Sequence, residues 1–123
     1  MTTGDQLIEA AKAGDDVMVA RMLEENPALR SFRAATGETP LMAALYRGHR
    51  RVVDRIVESG GDLDVFASAA LGRLEGVQAA IDSTPGVMGS HAYDGWTPLH
   101  LAAFFGQRRV VEWLLDSGAS AEA

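Results

Sequence analysis

The sequence predicts an all-α fold in which four short helix-turn-helix repeats stack into a solenoid. Three observations lead to this fold class. A block of the chain recurs at a fixed offset of 58 residues. Within each block two turn glycines lie 34 residues apart, Gly14 and Gly48 in the first block. The helices between these turns are shorter than the roughly 12–15 residues that an isolated helix needs, so they must stack on neighbours.

The duplication is clearest around a Thr-Pro-Leu motif. The segment TPLMAA at 39–44 returns as TPLHLA at 97–102, which is the 58-residue offset. Further pairs at this offset are Gly14 with Gly72, Val19 with Val77, Pro27 with Pro85, Gly37 with Gly95, Gly48 with Gly106, Gly60 with Gly118, and RRVV at 50–53 with RRVV at 108–111. So many matches at one offset indicate a tandem duplication.

Local residue chemistry predicts where the helices begin and end. Thr97 suits an N-cap and Pro98 the first helical position, where the missing N–H costs nothing. Gly106 can adopt the left-handed conformation that ends a helix. The same prediction is made for Thr39, Pro40 and Gly48, with Asp5 as the cap of the first repeat and Asp62 or Asp64 as the cap of the third. Second helices are predicted to bury one stripe each, formed by Val52, Val53, Ile56 and Val57, and by Val110, Val111, Leu114 and Leu115.

These motifs resemble the ankyrin repeat. The segment DGWTPLHLAA at 94–103, with the glycines and aliphatic residues that follow it, is similar to a full ankyrin consensus. Residues 36–61 resemble it with Met42 where His is usual, and 5–29 and 63–87 are similar to the shortened first-repeat type. The 34-residue spacing also agrees with the family period of about 33.

The resemblance implies a single domain, 1–123, with repeats at 5–29, 36–61, 63–87 and 94–121. The longer segments 30–37 and 88–95 are expected to form two projecting hairpin loops. Gly48 and Gly72 are only 24 residues apart, so the third repeat is expected to lack a hairpin. The pairing of a shortened with a full repeat resembles small bacterial ankyrin proteins.

Composition narrows the classes of partner. The formal net charge of −6 disfavours binding to nucleic acid, because an acidic surface repels phosphates. No apolar stretch approaches the roughly 20 residues needed to span a bilayer, and the N-terminus lacks the pattern of a secretion signal. There are no cysteines, which excludes disulfides and thiolate metal sites but leaves the compartment open. We therefore expect a cytoplasmic protein that does not bind membranes.

Catalysis finds little support in the sequence. The three histidines are separated, and neither a catalytic triad nor a Gly-rich phosphate loop is recognisable. In the family, the His of Thr-Pro-Leu-His bonds locally and steadies the hairpin, which implies a structural role for His100 and a similar one for His49. His91 in the second hairpin is the one left for recognition. We predict no enzyme activity, no cofactor and no metal site.

The resemblance implies that a protein partner binds the concave face, which hairpin tips and the exposed side of each first helix would form. Carried over by position, the candidate partner-binding residues are Tyr46, Arg47, Tyr93, Asp94, Trp96, Phe104 and Phe105. Aromatic residues and arginine are the types enriched in interface cores. The alternative is that Trp96 only braces the hairpin and that the phenylalanines pack against neighbouring loops.

Two further features leave alternatives open. Arginines at 47, 50, 51, 55, 108 and 109 form either a solvated helix face or a basic patch for an acidic partner segment. The last repeat is apolar, with Leu101, Val110, Trp113 and Leu114, although solenoids need polar terminal repeats. The sequence is therefore either part of a longer array or a structural module that self-associates weakly through its C-terminal repeat.

Overall fold

The computed structural model describes residues 2–60 and 63–119. In those two ranges it contains eight α-helices and two short 3-10 helices, and no β-strand. The chain divides into two compact units, Met1–Asp62 and Leu63–Ala123. These units are the two halves of the sequence duplication, and each is described by itself.

Each unit holds two helix-turn-helix pairs. The first unit contains α1 (Thr3–Ala13), α2 (Asp16–Glu25), α3 (Pro40–Tyr46) and α4 (Arg50–Glu58), with a 3-10 helix at Pro27–Ser31. The second contains α5 (Val65–Leu71), α6 (Leu74–Ser83), α7 (Pro98–Phe104) and α8 (Arg108–Asp116), with a 3-10 helix at Pro85–Gly89. Helix α1 packs on α3 and α2 on α4, and in the second unit α5 packs on α7 and α6 on α8. The predicted all-α arrangement of paired helices is confirmed.

The Thr-Pro motif starts a helix in both units. Thr39 and Thr97 are the N-caps of α3 and α7, and their hydroxyls accept hydrogen bonds from the backbone N–H groups of Met42 and His100, at 3.2 and 3.3 Å. Proline follows each threonine as the first helical residue. These predictions are confirmed because an N-cap depends only on neighbours within about three residues.

The predicted cap of the first repeat is wrong. Thr2, not Asp5, is the N-cap of α1, and Asp5 is the third residue of that helix. The Asp5 N–H donates to the Thr2 hydroxyl, and the Thr2 N–H donates back to the Asp5 carboxylate, at 3.2 and 3.3 Å. This reciprocal capping box satisfies two otherwise unbonded N–H groups, which a cap at Asp5 alone would not do. In the third repeat Asp64 is the cap of α5, and Asp62 lies outside the described residues.

Glycine is the C-cap of α1 and α5 and directly follows the C-cap of α3 and α7. Gly14, Gly48, Gly72 and Gly106 have φ between 72° and 78°, the left-handed region that glycine adopts without strain. At Gly14 a second constraint applies, because an added Cβ would lie 2.8 Å from the His49 ring. The glycine therefore allows both the turn and the close approach of the next repeat.

Equivalent side chains form the two cores. Val19 and Val52 are fully buried in the first unit, and Val77 and Val110 occupy the same positions in the second. Each fully buried aliphatic side chain stabilises its unit by roughly 1.5–3 kcal/mol relative to exposure. The predicted stripes are narrower than expected, since Val57 and Val111 are only half-buried and Leu115 is exposed.

The hairpins are shorter than predicted. The 3-10 helices take up the first residues of the segments 30–37 and 88–95, which leaves tight turns at 34–38 and 92–96. In the first turn the N–H of Ala34 donates to the carbonyl of Glu38 at 2.9 Å, and in the second that of Ala92 donates to Trp96 at 2.8 Å. The connection before the third repeat includes residues 61 and 62, outside the described part of the chain.

The apolar side chains that made the last repeat look uncapped are mostly buried. Leu101, Val110 and Leu114 have no exposed surface, and Trp113 is half-buried against the core of the second unit. Leu101, Val110 and Leu114 therefore do not contribute to an exposed apolar end of the repeat. Leu115 of α8 is 48 % exposed.

Candidate functional site

Four aromatic side chains lie in the turn and at the end of the first helix of the last repeat. We call Tyr93, Trp96, Phe104 and Phe105 the aromatic face. The turn at 92–96 positions Tyr93 and Trp96, and the C-terminal end of α7 positions Phe104 and Phe105. Asp94 lies in the same turn, and its carboxylate accepts a hydrogen bond from the Trp96 N–H at 3.3 Å.

Three of these rings are in direct contact. The centroids of Trp96 and Phe104 are 5.3 Å apart, and those of Phe104 and Phe105 are 5.0 Å apart. Both pairs are edge-to-face, with interplanar angles of 83° and 86°. This is a favourable arrangement for aromatic pairs, worth about 0.5–1.5 kcal/mol each beyond burial. Residues of the turn and of the helix end are thus joined into one cluster.

The aromatic face is open to solvent. Phe104 is 58 % exposed, and Tyr93 and Trp96 are each 36 % exposed. Phe105 is half-buried. Large exposed aromatic groups are informative because folding alone gives no reason to place them together on a surface.

His100 contacts both the Thr97 cap and the Trp96 ring of the cluster. Its Nδ1 atom lies 2.8 Å from the Thr97 hydroxyl, and its ring packs edge-on against Trp96 with centroids 6.1 Å apart. The structural role implied for this histidine is therefore confirmed. The sequence had not indicated that the same ring also braces Trp96.

The first unit has the same turn without the aromatic groups. At the positions of Tyr93 and Trp96 it carries Ala35 and Glu38. Glu38 forms an ion pair with Lys12 of α1, with Nζ and Oε1 3.2 Å apart. The turn hydrogen bonds nevertheless agree to within 0.1 Å in the two units. The aromatic side chains are therefore not needed to build the turn.

Two predicted site residues belong to the first unit. Tyr46 is the last residue of α3 and is half-buried, and Arg47 follows it and is exposed. They occupy the positions of Phe104 and Phe105 in the duplication. The structure brings the rings of Trp96, Phe104 and Phe105 together. Tyr46 and Arg47 lie at the end of α3, in the first unit.

The other histidines have distinct environments. His49 Nε2 lies 3.0 Å from the carbonyl oxygen of Lys12, which agrees with a structural role. His91 is exposed, between the 3-10 helix and the second turn. Among the residues that the structure describes, no group of three or more His, Asp and Glu could hold a metal ion.

Several of the arginines form ion pairs on exposed helix surfaces. Arg50 pairs with Asp54 and Arg108 with Glu112, each four residues along its helix, at 3.8 and 3.0 Å. Arg55 of α4 reaches Asp16 of α2 at 3.8 Å. Such exposed pairs contribute little stability. They favour the interpretation of a solvated helix face.

The first unit contains a cleft that was not predicted from the sequence. It has a volume of about 300 Å³ and lies between α2, the first 3-10 helix and α4. Its lining residues are Ala20, Leu23, Glu24, Pro27, Arg55, Glu58 and Ser59. The sequence carries no signal for it, because the lining comes from three separate elements.

Comparison with known proteins assigns the family. A family model described as ankyrin repeats (3 copies) matches residues 7–123. The chain belongs to the ankyrin repeat family. The description counts three copies, whereas residues 2–60 and 63–119 hold four helix-turn-helix pairs.

The relatives of this ankyrin repeat chain come from plants, animals and bacteria. The chain is 33 % identical over 123 residues to a probable E3 ubiquitin-protein ligase, XBOS33, of Oryza sativa subsp. japonica. It is 28 % identical over 123 residues to the E3 ubiquitin-protein ligase XBAT33 of Arabidopsis thaliana. Both matches cover 92 % of this chain and 24 % of the relative, so the chain spans about a quarter of the length of these proteins. A putative ankyrin repeat protein of Rickettsia bellii is 27 % identical over 70 residues, which covers 57 % of this chain and 21 % of that protein.

In the ranges 2–60 and 63–119 no helix is long and apolar enough to cross a membrane.

Proposed function

We propose that this chain binds a partner protein, and that the aromatic face together with Asp94 supplies the main contact. Ankyrin repeats are in general protein–protein interaction modules, which supports the class of function. The observation that carries the site is the difference between the two units. They share one turn geometry, but only the second places Tyr93 and Trp96 where the first has Ala35 and Glu38.

The energetics of the cluster suit this role. Trp and Tyr are enriched among the side chains that dominate binding free energies. The edge-to-face contacts and His100 hold the Trp96 ring in place before any partner arrives. A partner would therefore lose little free energy to ordering these side chains.

In the first unit, we propose that Tyr46 and Arg47 add further contacts on the concave face of the repeats. Their support is positional, since they stand at the places of Phe104 and Phe105 in the duplication. Arg47 is exposed and Tyr46 half-buried. We expect their replacement by alanine to weaken binding less than replacement of the second-unit aromatics.

The test compares Trp96→Ala/Phe105→Ala with a control that removes exposed apolar surface elsewhere. Val17→Ala/Met18→Ala is a suitable control, because both side chains are exposed and neither belongs to the aromatic face or to the C-terminal repeat. Wild type and both variants are immobilised, and the partner proteins that each retains are quantified. Circular dichroism verifies that each variant keeps its helices. We expect the proteins bound by wild type and control to be lost from the aromatic variant. Equal retention by a folded aromatic variant would refute the proposed site.

The alternative is a structural module that self-associates through the C-terminal repeat. Exposed Leu115 supports it, and the burial of Leu101, Val110 and Leu114 weakens it. Light scattering over a concentration series tests it, with Leu115→Asp as the variant. A mass above 13.1 kDa that falls on dilution and in the variant would support self-association, and the monomer mass throughout would refute it.

The finer parts of the proposal rest on the sequence. We propose that the chain acts without catalysis or a cofactor and binds neither nucleic acid, given its net charge of −6, nor membranes. We also propose that the protein is cytoplasmic and that it is a small ankyrin protein of the bacterial type. The relatives include plant and mouse as well as Rickettsia proteins, and so give the bacterial assignment no separate support.

A further inference from the structure

We infer that the aromatic face binds a linear partner segment in which a basic side chain, arginine or lysine, stands next to an apolar one. This inference rests on the proposed function and adds the chemistry of the partner to it. Three features of the second unit carry it: the charge of the face, the exposure of its rings and the position of Asp94.

The charge around the aromatic face is negative. Residues 90–106, which form the turn and α7, contain no lysine or arginine, and their one acidic residue is Asp94. The equivalent segment of the first unit, 32–48, carries Arg33 and Arg47 beside Glu38. The second unit therefore lacks both basic groups that its duplicate has at these positions.

The described second unit as a whole has the same sign. Residues 63–119 contain three arginines against six carboxylates, a net charge of −3. Of these arginines, Arg73 is the N-cap of α6, and Arg108 and Arg109 are the first two residues of α8. Arg108 is also bonded to Glu112 at 3.0 Å. A basic segment would be attracted to this unit and an acidic one repelled.

The exposed rings favour a cation directly. A guanidinium or ammonium group over the face of Trp or Phe is attracted by the negative electrostatic potential above the ring, most strongly for Trp. Trp96 and Phe104 present 36 % and 58 % of their surface to solvent. The Asp94 carboxylate, held in the same turn by the Trp96 N–H, would add charge–charge attraction.

An apolar side chain is expected beside the basic one. Phe104 and Phe105 offer carbon surface without hydrogen-bonding groups, so the polar groups of a purely polar segment would lose their hydrogen bonds to water there and gain none. Covering this surface is favourable at about 25 cal/mol per Å² of apolar area. Apolar contact and a cation together account for the whole face, which neither would do alone.

The experiment selects peptides from a displayed random dodecapeptide library on the intact chain. The selected peptides are synthesised, and their dissociation constants are measured for wild type, Trp96→Ala/Phe105→Ala, Asp94→Asn and Asp116→Asn. Asp116→Asn is the matched control, because it removes an exposed carboxylate of α8 outside the face. Circular dichroism verifies that each variant is folded.

We expect selected peptides to be enriched in arginine or lysine next to an apolar residue. Replacement of the basic residue by glutamine, or Asp94→Asn in the protein, should weaken binding about two- to five-fold, whereas Asp116→Asn should not. Binding should also weaken as salt is raised.

Two results would overturn the inference in different ways. Peptides that need Trp96 and Phe105 but show no basic enrichment, and bind Asp94→Asn as well as wild type, would refute the partner chemistry and leave the proposed function standing. Peptides that bind the folded Trp96→Ala/Phe105→Ala variant as tightly as wild type, or a selection that yields none, would refute the aromatic face as a peptide-binding site.

Discussion

The Nε2 atom of His49 lies 3.0 Å from the carbonyl oxygen of Lys12 and thereby joins the turn after α3 to the end of α1. A carbonyl oxygen can only accept, so Nε2 carries the proton. In the second unit Gln107 and Ala70 take these positions, and Gln107 Nε2 donates to the Ala70 carbonyl at 2.9 Å. Two unlike side chains supply the same bond, which indicates that adjacent repeats require a donor at this place.

We predict that His49→Ala lowers the free energy of unfolding by about 1–2 kcal/mol, because the Lys12 carbonyl loses its partner. His49→Gln should recover at least half of that loss, since glutamine makes the bond in the second unit. Urea unfolding followed by circular dichroism measures both. Equal destabilisation by the two variants would show that the ring, and not the hydrogen bond, matters.

The turn glycines allow backbone strain to be separated from steric conflict. Gly48 has φ 72° with no neighbour within 4 Å of an added Cβ, so Gly48→Ala should cost about 1 kcal/mol through its backbone alone. Gly14→Ala should cost at least about 1 kcal/mol more, because its Cβ would displace the His49 ring from the Lys12 bond. Thermal and urea unfolding of the two variants test this. Similar costs at both positions would contradict the steric argument.

Thr97 has a partner that Thr39 lacks. Both hydroxyls cap a helix, and either change to alanine should cost about 1 kcal/mol. Thr97 also bonds the His100 ring, so Thr97→Ala should cost about 1 kcal/mol more than Thr39→Ala. Circular dichroism follows both variants, and fluorescence follows Thr97→Ala because both tryptophans lie in the second unit. A larger loss in Thr39→Ala would contradict the role given to His100.

Two ion pairs of similar length should differ in strength. Lys12–Glu38 is largely shielded from solvent, whereas the side chains of Arg108–Glu112 are 88 % and 60 % exposed. Double-mutant cycles should give a coupling of at most about 0.5 kcal/mol for the exposed pair and a larger one, near 1 kcal/mol, for the shielded pair. Raising NaCl to about 1 M should reduce the exposed coupling more. Equal couplings would mean that shielding has no effect here.

The sequence predicted the helix ends more reliably than the surfaces. Thr97, Pro98 and Gly106 act within a few residues, so their effects can be seen in a short window of sequence. Asp5 was assigned wrongly, because a capping box and a simple cap use the same residue types three positions apart. The aromatic residues of the last repeat were found as candidates, but their edge-to-face contacts and the bracing by His100 were not.

By itself, the sequence determined the duplication, the order of the paired helices, the caps at Thr39 and Thr97 and the turn glycines, because such caps and turns depend on backbone preferences and on neighbours within about four residues. Only the tertiary structure decided which apolar side chains face solvent: Leu101 is fully buried and Phe104, three residues later in the same helix, is 58 % exposed. It also decided contacts such as His49 with Lys12, 37 residues apart. Burial and long-range contacts depend on how separate helices pack, which no local pattern encodes.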